Sequence, residues 1–211
     1  MTGKNKAIVV LAMHRSGSSA VAGVLHYLGV DMGAEHFMPP DARNPKGYFE
    51  DKRFVALNEC ILASVGGAWN VNVSRDWIDY ARDKFDDEAR NLVSGRTGIW
   101  GWKDPRTVMT FPLYAPHLRD VEFVIVTRAE EAIAESLQAR NKIPLAQGLE
   151  FAYTYHQRID DLIDEFACPV HWVSYTWLVE EPEKVIRQIA NTVGLHGGVP
   201  INFIDAELRH F

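Results

Sequence analysis

The feature that most constrains the fold is Ala7-Ile-Val-Val-Leu-Ala-Met13, an unbroken apolar run that passes directly into the small-residue turn His14-Arg-Ser-Gly-Ser-Ser19. A run without polar alternation suits a central parallel strand, whose two faces are both covered. An amphipathic pattern follows at once, with Ala20, Val21, Val24, Leu25 and Leu28 on one face and Gly29 placed to stop the helix. A strand, a short turn and a helix N-terminus together make an anion cradle, because the first helical N–H groups have no partner and the dipole is positive there.

The rest of the chain repeats this alternation. Strands are predicted over Ile99–Lys103, Val121–Thr127 and Val170–Ser174. Helices are predicted from Glu50 to Val65, from Ser74 or Asp76 to Val93, and from Phe111 to Leu118. Others should cover Glu130 to Arg140, Leu145 to Phe166 and Pro182 to Val193. The expected inward residues are Phe54, Leu57, Ile61, Leu62 and Val65 on the second helix. On the third they are Trp77, Ala81, Phe85, Ala89 and Leu92. Leu149, Ala152, Tyr153, His156, Ile159 and Phe166 should face inward from the long helix. This order predicts one α/β domain over residues 1–211, a mainly parallel sheet with helices on both faces in three layers. Ligands in such folds bind beyond the carboxyl ends of the strands. Three of those ends carry chemistry here: His14-Arg15-Ser16, Lys103-Asp104 and Arg128.

Between Val30 and Tyr48 the periodicity dissolves into Met38-Pro-Pro-Asp-Ala-Arg-Asn-Pro-Lys-Gly47, a loop long enough to suggest a binding role. The net charge of −6 and pI of about 5.7 argue against a nucleic-acid or membrane-surface binder. The apolar run near the N-terminus is too short for a signal peptide, and no window reaches the ~20 apolar residues of a membrane span. A cytoplasmic protein is expected. Cys60 and Cys168 have no metal-ligand spacing and read as reduced thiols packed as small hydrophobes. Trp77, Trp172 and Trp177 read as core residues, whereas Trp69, Trp100 and Trp102 are candidates to line a cleft. The acidic run Asp160, Asp161, Asp164 and Glu165 reads as a solvated helix face, and His156 as a core or interface histidine.

The turn Ala12-Met-His-Arg-Ser-Gly-Ser-Ser19 has the length of a P-loop, but Ala12 replaces the first glycine of GxxxxGK[ST] and Ser18 its lysine. A phosphate nest survives that exchange, and Arg15 can supply the cation. Arg128 and Ser136, two turns into the next helix, could bridge a second anion.

In combination these segments resemble the sulfotransferases. Met13-His-Arg-Ser-Gly-Ser-Ser19 is similar to that family's 5′-phosphosulfate loop, and Val124-Ile-Val-Thr-Arg128 with Ser136, Leu137 and Arg140 to its 3′-phosphate motif. Asn44-Pro-Lys-Gly-Tyr-Phe-Glu50, Trp102-Lys-Asp-Pro-Arg106 and Val173-Ser-Tyr-Thr-Trp-Leu178 before Glu181-Pro182 resemble further landmarks of bacterial members. The resemblance implies a P-loop-like α/β fold. It also implies sulfuryl transfer from 3′-phosphoadenosine-5′-phosphosulfate (PAPS) to a hydroxyl or amine of a small-molecule or carbohydrate acceptor. Adenosine 3′,5′-bisphosphate (PAP) would be the product, and no metal would be needed.

By that resemblance His14, Arg15, Ser16, Gly17, Ser18 and Ser19 hold the 5′-phosphosulfate, and Arg128 with Ser136 the 3′-phosphate. Arg15 and Lys103 would stabilise the transferring group. The histidine that aryl enzymes use as base is replaced by Pro105, so a carboxylate is expected. Glu50 is the first choice, unless it serves only the helix dipole; Glu35, His36, Asp51 and Asp104 are alternates, Asp104 unless it pairs with Arg106 or Lys103, and His14 either shapes the turn or is itself a base. The family's C-terminal glycine-rich segment has no clear counterpart, with Arg209 the one candidate cation there. Two other readings stay open: a P-loop-like kinase using ATP and Mg²⁺, and a catalytically silent nucleotide-binding domain.

Overall fold

In the structure of the chain, a computed structural model that describes residues 5–42, 44–195, 198 and 200–205, the sheet has four parallel strands. These are β1 (Lys6–Leu11), β2 (Ile99–Lys103), β3 (Val121–Thr127) and β4 (Val170–Ser174), in the order β2-β1-β3-β4. The chain leaves β1, adds β2 on one side, then crosses to add β3 on the other. The direction therefore reverses at β1, and a crevice opens beyond its carboxyl end, where the His14–Ser19 turn lies. Arg209 lies outside the described residues.

The apolar strand runs are explained by burial on both faces. Ala7, Val9 and Leu11 of β1, with Trp100, Trp102, Phe123 and Ile125, enter one core; Ile8 and Val10, with Val124, Val126 and Val173, enter the other. Helices α1 (Ser18–Tyr27), α7 (Tyr175–Glu180) and α8 (Pro182–Val193) cover the second face. Helices α2 (Lys52–Ser64), α3 (Arg75–Val93), α4 (Thr107–Tyr114), α5 (Glu130–Asn141) and α6 (Leu145–Phe166) cover the first. Past Gly29, which adopts a positive φ of 103°, the chain turns back along the outer edge of β2. Asp31 N donates to Ile99 O (3.0 Å) and Gly101 N to Asp31 O (2.9 Å), so that edge is paired rather than bare.

Several expected faces are rotated. The buried stripe of α3 is Ile78, Ala81, Phe85, Ala89 and Val93; Trp77 is 56% exposed and Leu92 only partly covered. Trp77 and Ile78 both stand at helical spacing from Ala81, and spacing cannot choose between them. In α6, Tyr155 and Leu162 are buried in place of Tyr153, which is exposed, because the Tyr155 hydroxyl finds Trp69 O at 2.8 Å. His156 is half-buried and pairs with Glu130 at 2.9 Å. The helix expected over Phe111–Leu118 is instead α4, beginning at Thr107 directly after the Asp104-Pro105-Arg106 turn and followed by a 3-10 turn at Ala115–His117. All of its residues are buried, so no polar face marks its period. The tryptophans largely exchange roles. Trp100 and Trp102 are buried and stack on each other, while Trp172 and Trp177 are exposed; Trp69 alone lines a cleft as expected. Cys60 is exposed rather than packed, and Cys168 is half-buried, with burial pushing its thiol pKa up to about 11. The acidic run of α6 does face solvent, with Glu165 paired to Arg75.

Candidate active site

The turn after β1 is closed by Ser16, whose hydroxyl donates to Met13 O at 2.7 Å and whose N–H reaches the same oxygen at 3.3 Å. Arg15 (φ 70°) and Gly17 (φ 89°) flank it in the left-handed region. A non-glycine residue held there costs about 1–3 kcal/mol, a strain that concentrates at functional sites. Gly17 caps α1 without a side-chain hydrogen bond, and the N–H groups of Ser18 and Ser19 find no acceptor among the described residues. They are orphan donors at a positive helix end, the physical requirement of an anion cradle.

Glycine is required at position 17 for a second reason. A Cβ there would overlap the ring of Tyr175, the first residue of α7. Gly17→Ala is expected to lose at least about 2 kcal/mol of stability from left-handed strain and overpacking together. Gly17→Ala with Tyr175→Ala should recover the packing part; equal thermal midpoints for the single and double variants would contradict this.

Arg15 Nε donates to Ser136 Oγ at 2.9 Å, while Arg128 Nη1 donates to Arg15 O at 2.9 Å and lies 5.3 Å from the Tyr175 ring centre. Ser136 is buried and bonded to Arg15, so it does not line a cleft with Arg128; the expected bridge between Arg128 and Ser136 is not the arrangement seen. Burial, followed by the nearby Arg140 and Arg128 guanidinium groups, lowers the Arg15 pKa to about 10, which leaves it charged at neutral pH.

Lys103 ends β2 and is buried. Its ammonium pairs with Glu50 Oε1 and lies 3.3 Å from Ser19 Oγ, which also accepts from Asn44 Nδ2 at 3.2 Å. Glu50 precedes α2 rather than starting it. Asp51 is the N-cap, accepting from Arg53 N at 2.9 Å, so the helix-dipole role belongs to Asp51 and the Glu50 side chain is left to the cleft. Phe49 (φ 53°) sets that direction, anchored in an aromatic cluster with Phe37 and Phe203, each 5.4 Å away.

Of the alternate carboxylates, Asp104 is fully buried and engaged by Asn58 Nδ2 and Arg106 Nη1, both at 2.8 Å. Asp51 is engaged by Arg53 and Arg96, and Glu35 and His36 line neither cleft beside the turn. His14 does line one. Its ring packs 4.7 Å from Trp69, and its Nε2 is buried without a hydrogen-bond partner, a deficit of about 1–3 kcal/mol. Burial, then Arg106, Lys103, Arg140 and Arg15, hold its pKa well below the usual imidazole value, so it is neutral.

Two clefts thus meet at Arg15, Ser18, Ser19 and Asn44. One runs past Gly17, Lys46, Arg128, Tyr175 and Phe203; the other past His14, Tyr48, Glu50, Trp69, Lys103 and Arg140. Lys46 closes the first against the C-terminal segment by donating to Phe203 O at 2.6 Å and pairing with Asp205 at 3.5 Å. Tyr175 and Lys46 were not singled out as site residues from the sequence, although both stand inside segments marked as landmarks. Only their packing across the turn reveals what they do.

No protein-family model and no curated protein matches the sequence. Solved structures do. The sulfotransferase domain of the Synechococcus PCC 7002 olefin synthase aligns over 99% of this chain and 87% of its own, at 18% identity and a TM-score of 0.55. The sulfotransferase domain from the curacin biosynthetic pathway aligns over 98% and 90%, at 14% identity and 0.55. Sulfotransferase STF1 from Mycobacterium tuberculosis H37Rv aligns over 99% and 71%, at 15% identity and 0.56. Across nearly its whole length, this chain has the α/β fold of sulfotransferase domains, a parallel four-stranded sheet flanked by helices.

Proposed function

We propose that this chain is a cytoplasmic enzyme that transfers a sulfuryl group from PAPS to a hydroxyl, or an amine, of a small-molecule or carbohydrate acceptor. The observation that carries the reading is the meeting of two clefts at one turn, with the buried Lys103–Glu50 pair in the second and the Lys103 ammonium 3.3 Å from the shared Ser19 hydroxyl. A group-transfer enzyme needs one cleft for donor and one for acceptor, opening onto the same atoms.

The residues fit the donor. The orphan N–H groups of Ser18 and Ser19 and the glycine cradle suit the 5′-phosphate, and Arg128 is a cation further along the same cleft for the 3′-phosphate. The donor supplies an activated sulfur–oxygen bond. Glu50 takes the proton of the acceptor hydroxyl, whose oxygen forms the new bond to sulfur as the bond to the phosphate oxygen breaks. Protonation of Glu50 dissolves its ion pair and frees the Lys103 ammonium to stabilise charge on the departing oxygen. Arg15, charged and fixed by Ser136, faces the same junction. His14, neutral and closely packed, shapes the turn. Ser18 in place of the P-loop lysine disfavours the ATP- and Mg²⁺-dependent alternative.

Thermal denaturation separates the readings. PAP at a hundredfold excess over its Kd adds about 2.7 kcal/mol, a rise of about 5–10 °C for a domain of this size. ATP with Mg²⁺ should add little. An equal response to both, or none to PAP, would sink the sulfotransferase reading; PAP binding without turnover on any acceptor would favour a silent domain.

A further inference from the structure

The acceptor-side cleft is cationic in a protein whose net charge is −6. Four basic side chains line it: Arg15, Lys103, Arg106 and Arg140. Two are neutralised within the protein, Lys103 by Glu50 and Arg106 by Asp104 at 2.8 Å and Glu59 at 2.8 Å. The other two have no carboxylate within ion-pair distance among the described residues. Arg15 spends its Nε on Ser136, and Arg140 Nη2 donates only to the Tyr48 hydroxyl, at 3.1 Å, with the guanidinium 6.0 Å from that ring's centre.

Their proximity is expressed in Arg15, whose pKa the Arg140 charge lowers. Like charges gathered in a half-enclosed cleft concentrate anions there. The proposed donor supplies an anion for Arg15. Arg140 belongs to the segment that resembles the 3′-phosphate motif, but it sits in the last turn of α5, one turn beyond Ser136, and lines the acceptor side rather than the cleft of Arg128. A bound oxyanion in this cleft can accept from the planar fork of Arg140.

Building on the sulfotransferase reading, we infer that the acceptor is itself anionic: a hydroxy compound bearing a carboxylate or a phosphate, which Arg140 binds while its hydroxyl lies at Glu50. Trp69, Met38 and Val55 line the same cleft and supply its apolar surface, so the acceptor combines a charged group with an apolar or sugar-face portion.

The test uses the full chain saturated with PAP, at constant ionic strength balanced with sodium chloride. Inorganic phosphate and acetate are titrated into the wild type, Arg140→Gln and Arg140→Lys, with thermal midpoint and tryptophan fluorescence as readouts. Saturable binding of at least one anion to the wild type is expected, and which of the two binds tells phosphate from carboxylate. Arg140→Gln should weaken it at least tenfold without changing PAP affinity. Arg140→Lys, which keeps the charge but loses the fork, should weaken it several-fold, and it decides the matter should Arg140→Gln not fold. No saturable binding to the wild type, or equal binding to the variants, overturns the inference. So does an equal loss of PAP affinity in Arg140→Gln, which would place Arg140 in the donor site. Absence of any PAP response is read separately and strikes the sulfotransferase reading instead.

Discussion

Lys103→Met is expected to lower kcat by about 10³ or more, through loss of the cation at the departing oxygen, and to destabilise the fold by about 3–5 kcal/mol. The second effect follows from burial. Lys103 is 2% exposed and Glu50 8% exposed, so removing the ammonium leaves a carboxylate desolvated and unpaired. Glu50→Gln should cost less stability, since an amide oxygen still accepts from Nζ, yet lose about 10²- to 10⁴-fold in kcat by losing the base. The double variant separates the two roles. With both charges gone, most of the lost stability should return while turnover stays absent, because the pair's desolvation is removed along with its attraction. Urea denaturation and a labelled-donor assay measure the two quantities. Turnover within tenfold of wild type in Lys103→Met would rule out its proposed role.

Asn58→Leu is expected to produce the largest purely structural loss, about 2–5 kcal/mol from several polar groups left unpaired at once. Asn58 is fully buried on α2. It accepts from the Thr110 hydroxyl at 2.6 Å and the Tyr114 hydroxyl at 2.7 Å, and donates to Asp104 at 2.8 Å. Leucine matches the volume but takes the partner from the Tyr114 hydroxyl and from one Asp104 oxygen, and leaves the Thr110 hydroxyl only its longer bond to Arg106 O at 3.3 Å. Burial first, and the Asp104 charge next, push the Tyr114 pKa well above the usual phenol value, so this hydroxyl cannot ionise to escape. The cost reaches the site, because Asp104 follows Lys103 and holds Arg106. Melting temperature should fall by about 5–20 °C, with reduced turnover at temperatures where the variant remains folded. A fall of less than about 2 °C would show that the network adds little.

That network was not legible in the sequence. Asn58 reads as one polar residue on a helix, and nothing local announces that Asp104 and Tyr114 surround it. The same limit explains the misread faces. Trp77 and Ile78 are equivalent by spacing, and which is buried depends on the partner surface. Helix α4 has no exposed side, so periodicity could not place its start. Boundaries set by local chemistry were legible: β2, β3, β4, α6 and α8 begin and end where expected, α8 opening at Pro182, whereas β1 covers Lys6–Leu11 and stops short of the end of the apolar run at Met13.

The candidate site divides in the same way. Continuous apolar strands need cover on both faces, and a small-residue turn leading into a helix leaves N–H groups unpaired. Both are properties of neighbouring residues, so the α/β class and the anion cradle at His14–Ser19 follow from the sequence by itself. Pairing between distant side chains is different. The tertiary structure alone decided that Ser136 holds Arg15 rather than joining Arg128, that Asp51 caps α2 so that Glu50 can meet Lys103, and that Arg140 reaches the Tyr48 hydroxyl rather than a carboxylate within ion-pair distance. Coulomb attraction and hydrogen bonding act over a few ångströms. Which charges come that close is set by how helices and strands pack.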